Sequence, residues 1–306
     1  MPSTTLLDAH WMGRTRAIAV ALLESDGHLA LLDPGPGSTL ENIRAQLQEK
    51  NLSIADLDAI LLTHIHLDHA GATGALVREN PRLAVYVHER GAPHMADPSI
   101  LLASAGRLWA EELPRLFGEI LPVPQENLRV LRGGETLSLG SSKLDVAYTP
   151  GHASHHVSFF DHQEGLGFTG DTAGIRIQNG PYIMPAAPPP DIDLELWDKS
   201  FEAILERRPQ RLFLTHFGFA ENPPQHIADF RERLHRWASI TGKILISSGD
   251  DDAALQSFLM ETRAEMDRYL AHDDAEQHAF AAGLPLSFLG LARYLRKRAG
   301  IPIAKK

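Results

Sequence analysis

Apolar and polar residues alternate along the first part of the chain in a way that predicts a β-hairpin followed by a helix. Apolar runs at residues 17–23 and 29–32 flank a Ser-Asp-Gly turn, and this spacing is typical of two antiparallel strands. Ser38 lies three residues before Glu41, which is the pattern of a capping box. We therefore predict a helix over residues 39–50.

The middle of the chain shows a helical stretch and then a block of strands. Residues 89–119 have helical periodicity interrupted by Pro93, Pro98 and Pro114, so we predict short helices that lie over one face of the protein. Strand-like apolar runs follow at residues 128–131, 136–139, 144–149, 157–160 and 166–169. Because glycines separate these runs, this section is predicted to be entirely β.

The next section contains helices on either side of one strand. Helical patterns at residues 192–207 and 224–237 flank a strand pattern at residues 211–215. The segment 181–191 includes Pro185 and the consecutive prolines at 188–190, and it predicts a stiff, extended loop.

From about residue 243 onward the periodicity is helical and no strand pattern is visible. Two blocks of strands with helices between and after them predict a layered α/β architecture. We therefore predict one α/β domain over residues 1–240. Residues 241–306 are predicted to form a C-terminal helical extension that packs near the active site.

Length and composition fit this picture. The chain has 306 residues, 43% of them hydrophobic, which suits one large domain or a domain with an appendage. No run of apolar residues is long enough to span a membrane, and the first residues lack the basic and apolar regions of a secretory signal. We therefore expect a cytoplasmic protein that does not act at a membrane.

Cysteine content and charge narrow the chemistry. The sequence has no cysteine, which excludes disulfides and thiolate ligands and leaves nitrogen and oxygen atoms to bind any metal. The formal net charge is −10, and this argues against nucleic acid as a partner, because nucleic-acid affinity depends on basic residues that neutralise phosphates. A small-molecule substrate is expected instead, and a homodimer is left open.

The strongest chemical signal is the segment Thr63-His64-Ile65-His66-Leu67-Asp68-His69, which follows an apolar strand at residues 57–63. Side chains at a strand end and in the turn after it can converge on one point. Histidine and carboxylate are the ligands expected for zinc or a similar divalent ion. Burying so many polar groups without a metal or other partners would be costly, so the segment predicts a metal site.

Three further candidates each follow a predicted strand and lie at a turn. They are His152 in a Pro-Gly-His sequence, Asp171 in Thr-Gly-Asp, and His216 in Thr-His-Phe-Gly. Each of these signals is weak alone. Together with the HxHxDH cluster they resemble the motifs of the metallo-β-lactamase superfamily, in the same order and over roughly residues 14–240.

The resemblance implies an αββα sandwich, here with a C-terminal helical appendage, and seven ligands divided between two divalent metal ions. The ligands of the first ion would be His64, His66 and His152. The ligands of the second ion would be Asp68, His69 and His216. Asp171 would bridge the two ions. We expect zinc, although the ligand set suits iron and manganese as well.

Two further residues correspond to family positions without being assigned as ligands. Asp33, at the end of the second predicted strand, resembles a carboxylate that orients a ligand or the turn that carries HxHxDH. A turn-forming aspartate before proline is a compatible alternative. His156 resembles the second histidine found in glyoxalase II and in lactonases, and we expect it to pack or to orient a ligand. The other histidines, His155 among them, are expected on the surface or in the core, with His94 a weak pocket candidate.

The resemblance also implies a reaction. It favours a dinuclear hydrolase in which a metal-bridging hydroxide cleaves a small thioester, ester or lactone, as in the glyoxalase II and lactonase branch. Asp68 would be a ligand first and a catalytic proton shuttle second. The alternatives are a phosphodiesterase of the same fold and a mononuclear iron enzyme that resembles the persulfide dioxygenases.

The last predicted helix raises a question about the substrate. Glyoxalase II follows its metal domain with helices that supply basic residues to an anionic thiol carrier. The basic residues of the last helix here are Arg293, Arg296, Lys297 and Arg298. A solvated basic face near a helix C-terminus is the simpler interpretation. Tyr148 and Tyr182 are the phenols nearest to the motifs, and either an oxyanion contact or ordinary packing would suit them.

Overall fold

The computed structural model describes residues 2–177, 180–248 and 250–300. Its strands are β1 (Ser3–Asp8), β2 (Ala19–Ser25), β3 (His28–Leu32), β4 (Ala59–Leu61), β5 (Ala84–His88), β6 (Leu128–Leu131), β7 (Thr136–Leu139), β8 (Ser142–Tyr148), β9 (Val157–Asp161), β10 (Leu166–Phe168), β11 (Arg211–Leu214) and β12 (Gly218–Glu221). Its α-helices are α1 (Leu40–Glu49), α2 (Leu67–Ala70), α3 (Thr73–Glu79), α4 (Ala92–Ala96), α5 (Ser99–Trp109), α6 (Leu113–Phe117), α7 (Leu194–Glu206), α8 (Pro223–Ser247), α9 (Asp251–Met266), α10 (His272–Ala282) and α11 (Leu284–Arg298).

The strands form two six-stranded mixed sheets. In the first sheet the spatial order is β1-β2-β3-β4-β5-β6, with antiparallel pairing up to β3 and parallel pairing from β3 to β6. In the second sheet the order is β12-β11-β10-β9-β8-β7, and only the pair β10 and β11 is parallel. Parallel neighbours place their C-terminal ends at the same edge of a sheet, and this is how the fold gathers distant strand ends.

Three buried clusters show how the layers pack. The inner faces of the two sheets meet through residues such as Leu32, Phe159 and Phe213. On the outer face of the first sheet, α1 and the helices between β4 and β6 bury a second cluster. On the outer face of the second sheet, α7 and the C-terminal helices bury a third, which includes Trp197 and Phe230. The αββα arrangement predicted from the sequence is therefore confirmed.

Local predictions for the first part of the chain are mostly confirmed. β2 and β3 form the expected antiparallel hairpin, with Ser25 paired to His28, and α1 covers most of the predicted helix. The predicted capping box is wrong, because a 3-10 turn over Gly37–Thr39 precedes α1 and no side chain caps it. The hydroxyl of Ser38 instead donates to the carbonyl of Leu116, 2.6 Å away, which ties this turn to α6.

The predicted central strands are all present as β6 to β10, and the proline-interrupted stretch forms the short helices α4, α5 and α6. Two edge strands, β1 and β12, were not predicted. β1 pairs along its whole length with β2, so its partner rather than its own apolar pattern stabilises it. β12 contains only four residues and pairs with β11.

Helices follow β12 as predicted. α8 continues through residue 240, so a domain division at that residue stays a prediction. α11 is not a loose appendage, because Leu284, Phe288 and Leu291 belong to the same buried cluster as Trp197. Residues 301–306 of the predicted extension lie outside the described residues. Within the described part of the chain, no helix combines the length and apolar character needed to cross a membrane.

Candidate metal centre

The ends of four strands carry most of the predicted site residues. Asp33 directly follows β3, and the HxHxDH segment begins three residues after the end of β4. Asp171 and His216 lie just beyond the parallel neighbours β10 and β11. Because these strands end at one edge of the two sheets, residues that are far apart in sequence become neighbours. The structure brings all seven predicted ligands together there.

The first group consists of His64, His66 and His152. Nε2 of His64 lies 2.9 Å from Nδ1 of His66, and Nε2 of His152 lies 3.2 and 3.0 Å from these two nitrogens. Ligand atoms of one tetrahedral zinc ion stand about 3.3 Å apart, since each Zn–N bond is about 2.0–2.1 Å long. The three nitrogens therefore have nearly the spacing that one ion requires, and they could hold a metal.

The second group consists of Asp68, His69 and His216. Oδ2 of Asp68 lies 3.4 Å from Nε2 of His216 and 3.9 Å from Nε2 of His69. The three side chains offer two nitrogens and one carboxylate to a common point, and they too could hold a metal ion.

Asp171 lies between the two groups and presents one carboxylate oxygen to each. Its Oδ1 is 3.3 Å from Nε2 of His69 and 3.6 Å from Nε2 of His216. Its Oδ2 is 3.5 Å from Nε2 of His152. Asp171 therefore lies close to residues of both groups.

Backbone and hydroxyl acceptors orient three of the histidine rings. Nδ1 of His152 donates to the carbonyl of Ala186 at 2.8 Å, and Nδ1 of His216 donates to the carbonyl of Ala17 at 2.6 Å. Nδ1 of His64 faces the hydroxyl of Thr63 at 3.1 Å. When Nδ1 carries the proton, Nε2 keeps its lone pair for a metal, so these contacts prepare the rings as ligands.

Asp33 lies behind the candidate ligands and supports them. It is fully buried, with Oδ1 accepting from the backbone N–H of Thr63 at 2.8 Å. Its Oδ2 accepts from the hydroxyls of Thr63 and Thr215 at 2.6 and 2.8 Å, and from Nδ1 of His69 at 2.8 Å. Asp33 therefore joins the strand end that carries HxHxDH to the turn that carries His216, and it orients His69 between them.

Replacing Asp33 by alanine is expected to destabilise the protein, because several buried donors would lose their acceptor at once. Each unsatisfied buried donor costs about 1–3 kcal/mol, so we expect the free energy of unfolding to fall by about 3 kcal/mol or more. Thr215→Val removes only one of these hydrogen bonds and should cost about 1 kcal/mol. Denaturant unfolding of both variants measures the difference. Equal stability of Asp33→Ala and the unmodified protein would contradict this role.

His156 is buried behind the first group. Its Nδ1 lies 3.0 Å from the hydroxyl of Thr149, and its ring is stacked on the ring of His64 with centroids 5.1 Å apart. It does not belong to any of the groups that could hold a metal. The structure therefore gives His156 a packing role against His64.

At His64, His66 and Asp68, electrostatics favour the protonation states in which these side chains bind metals. Burial and the neighbouring imidazoles hold the pKa of His64 well below its usual range and lower the pKa of His66 to about 4, so both rings are neutral at pH 7. Burial opposes the ionisation of Asp68, but His69 and His216 lower the pKa of its carboxyl to about 2. Neutral imidazole and ionised carboxylate are the forms that bind divalent ions.

The centre also attracts positive charge. Burial acts to lower the pKa of His69, but the carboxylates of Asp171, Asp33 and Asp68 raise it well above its usual range. Nε2 of His69 and Oδ1 of Asp171 are buried without a hydrogen-bond partner. Buried polar atoms are almost always satisfied, and a cation between these two atoms would satisfy both. The residues therefore fit a divalent metal ion.

A cavity of about 330 Å³ opens above this cluster. Its floor includes four of the candidate ligands, His66, Asp68, Asp171 and His216. His155, which sequence reasoning left among the surface or core histidines, also lines the cavity, and its ring centroid is 5.6 Å from that of His66. The position of His155 next to the His152 motif is the sequence signal that could have indicated its place in the cavity. His94 lines the same cavity.

The structure shows what the basic residues of the last helix and the two tyrosines contact. The part of the last helix that contains its basic residues does not line the cavity within the described residues, and Arg296 and Arg298 pair with Asp251 and Glu195 instead. The hydroxyl of Tyr148 donates to the carbonyl of Ser154 at 2.9 Å. Tyr182 is buried against Arg233, whose guanidinium lies 4.0 Å from its ring centroid. Packing is thus the role that the structure gives both tyrosines.

Comparison with known proteins places this geometry in a family. The chain is 30% identical over 175 residues to the metallo-beta-lactamase fold-containing protein ST1585 of Sulfurisphaera tokodaii, a match that covers 54% of this chain and 65% of that protein. It is 29% identical over 153 residues to a hydroxyacylglutathione hydrolase of Aeromonas salmonicida, covering 49% of this chain and 44% of that protein. The match therefore spans less than two thirds of the length of either relative.

The fold agrees. The structure of a metallo-beta-lactamase family protein from Thermus thermophilus, TTHA1429, superposes with a TM-score of 0.69 at 22% identity and covers 97% of this chain and 94% of that one. The family model of the metallo-beta-lactamase superfamily matches residues 13–216, more than half of the chain. This protein therefore belongs to the metallo-beta-lactamase superfamily.

Proposed function

We propose that the protein is a dinuclear metal-dependent hydrolase that cleaves a small thioester, ester or lactone. The coarser part of this statement, metal-dependent hydrolysis, follows from the superfamily to which the chain belongs. The observation that carries the rest is the position of Asp171, whose two oxygens face two separate groups of ligands at the floor of one cavity.

The distances support a division of the ligands between two ions. His64, His66 and His152 would hold one ion, Asp68, His69 and His216 the other, and Asp171 would contact both. Two divalent ions held in this way would supply a water of lowered pKa and would polarise the scissile carbonyl. The second group of candidate ligands supports the dinuclear proposal, and metal content separates this proposal from the persulfide dioxygenase alternative.

The protein residues have their own tasks in this proposal. The carboxylate of Asp68 is ionised and lines the cavity, so one of its oxygens can accept the proton that the attacking water releases and later return it to the leaving group. The hydrogen bonds from His152 and His216 to backbone carbonyls keep these rings in place while charge changes nearby.

Two features support a small acyl substrate. The cavity is bounded by helices and by the proline-rich segment 181–191, which we call the proline loop. A walled space of this kind favours a compact molecule over a folded polymer. One relative is named hydroxyacylglutathione hydrolase, which denotes a hydrolase that acts on an acyl derivative of a thiol carrier. Phosphodiester cleavage is the competing outcome.

Metal analysis of the purified protein tests the dinuclear proposal. We expect about two equivalents of transition metal per chain, because seven ligands suffice for two sites that share Asp171. Activity toward a panel of thioesters, lactones, aryl esters and phosphodiesters should be lost on chelation and return with added zinc. A protein that binds no more than one equivalent, even with metal in excess, would falsify the dinuclear site. One equivalent of iron with oxygen consumption would favour the dioxygenase alternative.

A further inference from the structure

The walls of the cavity above the candidate ligands are apolar and come from separate parts of the chain. The large apolar residues that line it are Trp11, Leu108, Trp109, Phe117, Phe280 and Leu286. They belong to the segment after β1, to α5 and α6, and to the C-terminal helices α10 and α11. Three separate parts of the chain thus meet to form one hydrophobic surface next to the reactive centre.

Trp11 shows that this surface is suited to apolar contact. Its indole N–H donates to the carbonyl of Leu116 at 2.7 Å, so the polar atom of the ring is already satisfied. Its ring lies 5.0 Å from that of Phe280 and 6.0 Å from that of Phe117, measured between centroids. These three rings therefore offer faces and edges rather than hydrogen bonds to whatever occupies the cavity.

The apolar surface continues to the mouth of the cavity. Ile100 and Leu108 both line the cavity, and they remain 68% and 39% exposed to solvent. Exposed apolar side chains that adjoin an apolar pocket are typical of ligand-binding surfaces. An apolar group could therefore move from solvent to the metal-ligand cluster along a continuous hydrophobic path.

Positive charge in the cavity is limited. Within the described residues, Arg90 is the only lysine or arginine that lines it, and Arg90 is exposed. The basic residues Arg296 and Arg298 of α11 pair with carboxylates elsewhere. In this cavity a polyanionic carrier would meet one basic side chain, that of Arg90. An uncharged apolar group would contact aromatic and aliphatic side chains.

We propose that the substrate of this site carries one apolar group of medium length, equivalent to an acyl chain of about eight carbons, which lies in this cavity beside the scissile carbonyl. The inference rests on the proposed hydrolase function and adds the substrate class. The cavity volume of about 330 Å³ has room for roughly ten non-hydrogen atoms, at about 30 Å³ each. This size sets the expected optimum in chain length.

Two substrate series test the proposal. In one, the acyl chain of N-acetylcysteamine thioesters is lengthened from acetyl to dodecanoyl. In the other, acetyl thioesters of alkanethiols are lengthened from ethyl to dodecyl. Each methylene that enters the cavity should raise kcat/KM by about fourfold, up to about eight carbons, with no gain beyond. The series that shows this rise tells whether the apolar group belongs to the acyl side or to the leaving group.

A pair of variants on α5 provides the matched comparison. Ala105 is buried and lines the cavity, whereas Ala103, on the same helix, is exposed and does not line it. Ala105→Phe places a phenyl ring in the cavity and should lower the ratio of kcat/KM for the octanoyl and acetyl substrates by about tenfold or more. Ala103→Phe should leave this ratio unchanged. Leu108→Gln, at the exposed rim, should lower the same ratio without disturbing a buried position.

Binding gives a readout that is independent of turnover. Calorimetric titration of the purified protein with octanoate and with butyrate should show about two hundredfold tighter binding of octanoate, because the two acids differ by four methylenes. Hydrolysis of all chain lengths at equal kcat/KM, or equal binding of the two acids, would overturn the apolar-substrate proposal and leave the hydrolase intact. Absence of any thioester, ester or lactone hydrolysis, together with preferential octanoate binding, would instead overturn the proposed reaction and support the apolar site.

Discussion

Replacement of Asp171 by alanine is expected to lower the hydrolytic rate by about a thousandfold or more and to reduce the bound metal below two equivalents. Asp171 is the residue whose two oxygens face both groups of ligands, with Oδ1 at 3.3 Å from His69 and Oδ2 at 3.5 Å from His152. Its loss would leave Asp68 as the only carboxylate among the candidate ligands. Losing about 4 kcal/mol of transition-state stabilisation corresponds to the expected loss in rate.

The physical reason is electrostatic. Two divalent ions a few ångströms apart repel each other, and the negative charge of Asp171 between them reduces this repulsion. Asp171→Asn keeps the size and one carbonyl oxygen but removes the charge, so we expect an effect of the same direction and smaller size. Asp252→Asn, at an exposed position in the first turn of α9, should change neither metal content nor rate.

Metal content by atomic absorption and steady-state hydrolysis of one thioester measure these effects. Circular dichroism checks that the variants remain folded, which is expected because Asp171 is partnered by the cluster itself rather than by the core. Full metal content and undiminished turnover in Asp171→Ala would show that the two groups do not share this residue.

The candidate ligands could be predicted from the sequence because residues of metal-binding type occur directly after predicted strands. Four of them lie within the six residues from His64 to His69, immediately after an apolar strand. His152, Asp171 and His216 each lie in the turn that follows a strand. The positions of these side chains depend mainly on local structure, because a strand end and the turn after it determine the direction in which a side chain points.

The walls of the cavity could not be predicted in the same way. Trp11, Phe117 and Phe280 are separated by more than a hundred residues along the chain, and no periodicity relates them. Their meeting depends on how α6 packs on the first sheet and on how α10, which belongs to the helices on the second sheet, brings Phe280 to the same cluster. The role of the basic cluster in the last helix stayed open at the sequence level for the same reason, because the sequence shows its charge but not the direction in which these side chains point after packing.

The C-terminal helix supports the centre from a distance, through the proline loop. Ala186 accepts the hydrogen bond from Nδ1 of His152 at 2.8 Å. The backbone N–H of the next residue, Ala187, donates to the hydroxyl of Ser287 on α11 at 3.1 Å. α11 thus fixes the proline loop, and this loop in turn orients His152. Two hydrogen bonds, at the adjacent residues Ala186 and Ala187, connect the helix to the candidate metal ligand.

The contact between α11 and the proline loop requires that residue 290 have no side chain, which Gly290 provides. A Cβ atom at this position would lie 2.0 Å from the carbonyl oxygen of Ala187, which is a backbone atom and cannot rotate away. Any larger residue must therefore push α11 and the loop apart. Because Ala186 precedes the displaced residue, its hydrogen bond to His152 would be strained or lost.

Gly290→Val is accordingly expected to reduce both stability and activity. Overpacking of this kind costs about 1–3 kcal/mol of unfolding free energy. Loss of the contact that orients a metal ligand costs about 10–100-fold in metal affinity or turnover. Gly242→Ala is the matched control, since Gly242 also lies in a helix, α8, and the nearest atom to an added Cβ is Cδ1 of Leu295 at 3.8 Å. In that open position alanine should stabilise the helix by up to about 1 kcal/mol.

Denaturant unfolding, metal titration and kinetics on the two variants separate general destabilisation from an effect on His152. If Gly290→Val only weakened the fold, activity at low temperature, where the variant is fully folded, would equal that of the unmodified protein. We expect instead that the folded variant binds the first metal ion more weakly, because the loop is displaced even when α11 is formed. Unchanged metal affinity in the folded variant would contradict the path from α11 through Ala187 to His152.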